Sequence, residues 1–205
     1  MIRTFVIVSS TIAAAGLGLT LWLAYCAGRW GEFSLLGAEM AGFLVITLGV
    51  VAAMRCLRRS RFAGKMPSSP ASMAVTLGIL IGVLAAIRAA SFHLLLSVYA
   101  AGFEKTALEA APLSKWQSLL PLAEKWLAAE NGRAFDSMLP PFILGVYPNA
   151  RPYASVGGDP GELDVTVWWR EPTLVIGIVI GRHGGLSGEL YRRRFTDDVA
   201  IIVAR

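Results

Sequence analysis

Three long apolar runs with short polar joints fill the first half of the chain. The second half has shorter runs, first with helical and then with two-residue periodicity. Thr4 to Ala27 carries no charge and exceeds the roughly 20 residues a helix needs to cross a hydrocarbon core. Gly28 to Ser34 is a short polar joint. Leu35 to Met54 follows, interrupted only by Glu39, and Ser72 to Phe103 is a third run, interrupted by Arg88. The pattern predicts a three-helix transmembrane region over residues 1–103. Trp22, Tyr25 and Trp30 cluster at the far end of the first run, where amphipathic rings favour the headgroup level.

Between the second and third runs lie Arg55, Arg58, Arg59, Arg61 and Lys65, with no acid from 55 to 71. Positive residues in short loops stay cytoplasmic. This basic loop is the topology signal. It predicts a cytoplasmic N-terminus and an extracytoplasmic domain over 104–205, in a bacterial inner membrane with that domain in the periplasm. The first run is longer than the apolar core of a signal peptide and is read as an uncleaved anchor. The same basic cluster also suits anionic headgroups of the lipid bilayer.

Glu39 and Arg88 each lie sixteen residues from the expected cytoplasmic boundary. At ~1.5 Å per residue both sit about 24 Å up. That equal depth predicts an intramembrane ion pair, with separate snorkelling to the interface as the alternative. Small residues recur on one face of each run, as in Gly78 and Gly82. Such faces pack helices together, within the chain, in a homo-oligomer or against a protein partner. Cys26 and Cys56 fall at opposite membrane faces in this arrangement, too far apart for a disulfide.

Beyond residue 103 the expected structure is a small α+β domain. Glu104 to Ala111 and Ser114 to Glu130 read as helices, the second broken near Pro121 and stopped by Asn131-Gly132. Phe142 to Tyr147 reads as a strand and Pro148 to Leu163 as loop. Asp164 to Arg170 alternates, with Val165, Val167 and Trp169 on one side. Thr173 to Gly181 is apolar on both faces, as a central strand would be. Glu189 to Phe195 alternates again, and Val199 to Ala204 is the last strand. Together these predict an antiparallel β-meander of four or five strands with helices on one face.

Charge divides between the halves. Residues 1–100 hold eight Lys/Arg and two Asp/Glu, and residues 101–205 hold eleven and twelve. The basic balance therefore belongs to the first half, and nucleic acid is not an expected partner. No metalloprotease or phosphate-loop motif occurs, and no cofactor, metal or catalytic set is predicted.

Two motifs invite chemistry. Gly181-Arg182-His183-Gly184-Gly185 sets a guanidinium and an imidazole on glycine-rich backbone suited to a small anion, or is simply a hairpin turn. Arg192 and Arg194 share one face of their strand and suit an acidic partner or a headgroup, or form a solvated face that discourages edge pairing. Trp168 and Trp169 must point to opposite sides. One belongs to the core, and the other is either exposed, as a candidate interface anchor, or covered within the domain as well.

The expectation for function is a non-enzymatic integral membrane protein, an accessory or assembly subunit of a larger membrane complex. Its extracytoplasmic domain would bind a protein partner. A sensor or ligand-binding module for a small anion is the second reading. A small membrane enzyme acting on lipid or envelope material, with His183 beside Glu189 or Asp164, is the third.

Overall fold

A five-stranded antiparallel sheet dominates the computed structural model, which describes residues 2–31, 37, 40, 41, 44, 47–49, 51, 55, 92–128, 135–157, 163–170, 174–181 and 189–204. The strands are β1 (Pro152–Gly157), β2 (Asp164–Arg170), β3 (Val175–Ile180), β4 (Glu189–Thr196) and β5 (Val199–Ala204). The helices are α1 (Ile2–Trp30), α2 (residues 92–110), α3 (Leu113–Gln117), α4 (Leu119–Ala128) and α5 (Pro141–Leu144), with a 3-10 turn at Phe135–Met138. Two compact units result. One comprises Met1–Trp22 with Gly37–Leu95, and the other Leu23–Leu36 with Leu96–Arg205.

The strand order is β1-β2-β3-β5-β4, so the sheet is not the simple meander expected. The last strand enters between β3 and β4. Composition explains the choice. All six residues of β5 are buried, and its sequence VAIIVA is apolar on both faces, which suits a strand with a neighbour on each side. β4 carries three consecutive arginines and two register shifts, both of which suit an edge. One consequence is that β3 and β4 do not pair. Gly181 follows Ile180, which pairs with Val199, whereas Glu189 pairs with Ala204 at the other end of β5. β3 and β4 are thus not the two arms of one hairpin, and residues 182–188, where a turn was expected, lie outside the described residues.

β1 lies where a loop was expected, and α5 lies where a strand was expected. Phe142 to Tyr147 is a short apolar run, whose period alone cannot separate strand from buried helix. Pro141 sits at the first helical position, where its fixed φ and missing N–H suit a helix start. The expected break at Pro121 falls instead at Ser118, and Pro121 takes a first-turn position in α4.

β1 is the other edge, and it is closed. Ala154 N–H turns away from β2 and donates to Asp136 Oδ1 at 2.5 Å. Pro152, two residues earlier on the same side, has no N–H to offer. Asp136→Ala is expected to cost about 1 kcal/mol and to promote concentration-dependent association by reopening this edge. Light scattering of the purified chain checks it, and unchanged scattering would mean that Pro152 alone closes the strand.

The core lies between the sheet and the helices. Val165, Val167 and Trp169 of β2 register against Ile180, Ile178 and Ile176 of β3, and Val199, Ile201 and Val203 of β5 continue each row. Trp169 is the hub of this face. Its ring meets Phe103 of α2 at 5.3 Å, and Trp116 of α3 and Tyr147 at 6.3 Å each. Phe142 of α5 packs edge-on to Trp116 at 5.0 Å.

The three-span anchor, the transmembrane character and the inner-membrane localisation are corrected by this structure. Among the described residues, no helix is long and apolar enough to cross a membrane. The apolar side chains near the end of α1 and along α2 are used inside the protein. Ala24, Cys26 and Ala27 of α1 and Leu96, Tyr99, Ala100 and Phe103 of α2 are buried, where a lipid-facing reading would have left them outward. Most of the expected second span lies outside the described residues, as does the third before residue 92. Glu39, Arg88, Arg58, Arg59, Arg61 and Lys65 lie outside them too. Arg55 is helical and exposed.

Candidate functional site

Two glycines let α1 and α2 meet backbone to backbone. A Cβ at Gly28 would strike the Tyr99 carbonyl, and one at Gly102 would strike the Tyr25 carbonyl and Arg29 N. Several polar groups latch the crossing. The Thr106 hydroxyl accepts from Arg29 Nη1 at 3.0 Å and donates to the Arg29 carbonyl. The Tyr147 hydroxyl donates to the Gly28 carbonyl, and Arg29 Nη2 donates to Glu109 Oε2. At Gly31, φ is +63° and the backbone lies against the Tyr147 ring, so only glycine fits without strain there.

Beside this crossing opens a cleft of about 420 Å³, lined by Tyr25, Ala101, Glu104, Lys105, Leu108, Glu109 and Arg193. Its lining mixes apolar side chains with charged ones. Arg193 arrives from β4, on the helix-covered side of the sheet, and its Nε stands 2.6 Å from Glu104 Oε2. That oxygen is buried, and its angles to Arg193 fall outside hydrogen-bond geometry, so the attraction is ionic.

The three arginines of β4 have different fates. The register shift after Glu189 brings Glu189 and Arg192, three residues apart, to one side of the strand. Arg192 forks onto that carboxylate, with Nε at 3.0 Å from Oε1 and Nη2 at 2.8 Å from Oε2. The bond holds the guanidinium still more firmly protonated than usual. Arg194 shares the side of Arg192 and is exposed, with no ion-pair partner among the described residues. Arg182 and His183 lie outside the described residues, so the expected anion-binding set of Arg182, His183, Arg192 and Arg194 is described only in its strand half.

Trp168 and Trp169 divide as the alternation requires. Trp169 is fully buried, and its indole N–H has no hydrogen-bond partner among the described residues, in surroundings that include three aromatic rings. Trp168 lies on the opposite side of the sheet and is half-buried. Its ring covers Gly177, where a Cβ would come 2.8 Å from the indole, and it stacks on Tyr153 with centroids 6.4 Å apart and planes 18° from parallel. Tyr153 remains 39% exposed. This two-ring platform sits on β1 and β2. The cleft was missed in the sequence because its residues come from positions near 25, 101–109 and 193. Neither periodicity nor motif spacing joins those segments.

No group of His, Cys, Asp and Glu suited to a metal occurs among the described residues. No protein-family model matches the chain, and neither a curated protein nor a solved structure is found to be similar to it.

Proposed function

We propose that this chain is a non-enzymatic accessory or assembly subunit that binds a protein partner through its sheet-bearing unit. The Tyr153–Trp168 platform carries the reading. Two stacked aromatic rings, held flat by Gly177 and partly open to solvent, have the composition and rigidity of an interface anchor. Such rings contribute large contact area while losing little side-chain freedom. Strand addition is a poor alternative, because Pro152 and Asp136 close one sheet edge and a bulged, arginine-rich strand forms the other. Further exposed apolar side chains support partner contact. Trp30 and Leu144 are exposed in the sheet-bearing unit, and Met40, Leu44, Leu48 and Val51 recur at helical spacing in the other.

The test is mild purification of the tagged full chain from its native cells, followed by mass analysis. A stoichiometric partner is expected, and Tyr153→Ala or Trp168→Ala should release it while the circular dichroism of the sheet is kept. Recovery of the wild-type chain alone, as a monomer or homo-oligomer, would sink the proposal.

A further inference from the structure

The geometry points to the cleft between the end of α1, α2 and β4 as the seat of one acidic side chain of the partner, carried on an apolar segment. This inference rests on the protein-binding reading above and adds the chemistry of what is bound. Tyr25, Ala101 and Leu108 supply the apolar part of the lining. Both carboxylates of the lining are already neutralised, Glu104 by Arg193 and Glu109 by Arg29. Lys105 lines the same cleft, is exposed and has no ion-pair partner among the described residues, so it stands as a positive charge beyond the two pairs. The unbalanced charge is therefore positive, and it borders an apolar surface. A carboxylate next to leucine-like side chains complements both.

A volume of about 420 Å³ holds two or three side chains. The cleft is open. A free small carboxylate would leave much of its surface in water there, whereas a segment of a larger partner is also held by contacts outside the cleft. That difference selects a peptide.

The probe is the acetylated, amidated tripeptide Leu-Glu-Leu, titrated into the ¹⁵N-labelled full chain, with its Leu-Gln-Leu counterpart and hexanoate as comparisons. Leu-Glu-Leu is expected to move the amide signals of Ala101, Lys105 and Leu108. The glutamine peptide, or the Lys105→Gln chain, should bind about tenfold more weakly. No shift at those amides at millimolar peptide, or equal affinity for the two peptides, overturns the assignment. Hexanoate binding as tightly as Leu-Glu-Leu overturns the choice of a peptide. If the native partner leaves Tyr153→Ala but stays on Lys105→Gln, the protein-binding reading stands and the cleft assignment falls.

Discussion

Trp169→Ala is expected to lower the stability of the sheet-bearing unit by about 3–5 kcal/mol, the range for removing a large ring from a packed core. The indole touches three other aromatic residues that come from α2, α3 and the segment after α5, so its loss opens a cavity where separate elements converge. Small domains have only about 5–15 kcal/mol in total. Each kcal/mol moves the melting midpoint of a unit this size by about 4–8 °C, so a fall of tens of degrees is expected. Trp169→Phe is the informative control. It keeps most of the ring volume and deletes an N–H that has no hydrogen-bond partner among the described residues, a group whose burial costs about 1–3 kcal/mol. The phenylalanine chain should therefore lose far less than the alanine chain. Equal losses in thermal melts would show that the N–H is satisfied after all.

Gly102→Ala is the second large expectation, and here two effects oppose each other. Alanine in a helix interior is favoured over glycine by about 0.8–1 kcal/mol. Against that, the new Cβ meets the Tyr25 carbonyl and Arg29 N, which are main-chain atoms and cannot rotate aside as a side chain would. Overpacking costs about 1–3 kcal/mol even where side chains can move. The clash should win, and α1 and α2 must part at their crossing. The Thr106 and Tyr147 bonds to the end of α1 would lengthen with it. Cys26 reports this directly. Its thiol is buried, and burial pushes its pKa up, so little reactive thiolate is present in the closed state. In a Cys56→Ser background, Gly102→Ala should raise the rate of Cys26 alkylation by an order of magnitude or more, since opening exposes it. An unchanged rate with a higher melting point would mean that helix propensity outweighs the contact.

Much of the sheet was legible because β2 through β5 announce themselves by alternation or by continuous apolar sequence. β1 was not. Pro152-Tyr-Ala-Ser-Val-Gly157 has a proline, a glycine and two small residues, and it becomes a strand through its six-residue register with β2. The strand order was legible in principle. VAIIVA has no polar side to show to solvent, and Tyr191-Arg-Arg-Arg-Phe195 has little else, so the first belongs inside and the second at the rim. Assuming that neighbours in sequence pair in space hid this.

The membrane reading failed at α1 and α2 because apolar density does not reveal what an apolar residue touches. Ala24, Ala27 and Tyr99 are as apolar in a helix–helix contact as in lipid, and Gly28 and Gly102 mark the former. Of the candidate sites, the two-way split of Trp168 and Trp169 followed from the two-residue period. The Glu104–Arg193 pair did not, since nothing local links a helix to a strand 89 positions further on.

The place of β5 has a consequence for how the chain reaches its native state. β5 is made after β3 and β4 but is needed between them, which leaves a gap until residue 204 has left the ribosome, and at about 5–20 residues per second that is an appreciable wait. During it β3 has an unpaired side, and β4 waits for β5, its one neighbour among the described strands. Long-range pairings of this kind raise contact order and slow folding. The arginines of β4 then matter most before the sheet exists, when mutual repulsion between nascent copies keeps a waiting strand from finding the wrong mate.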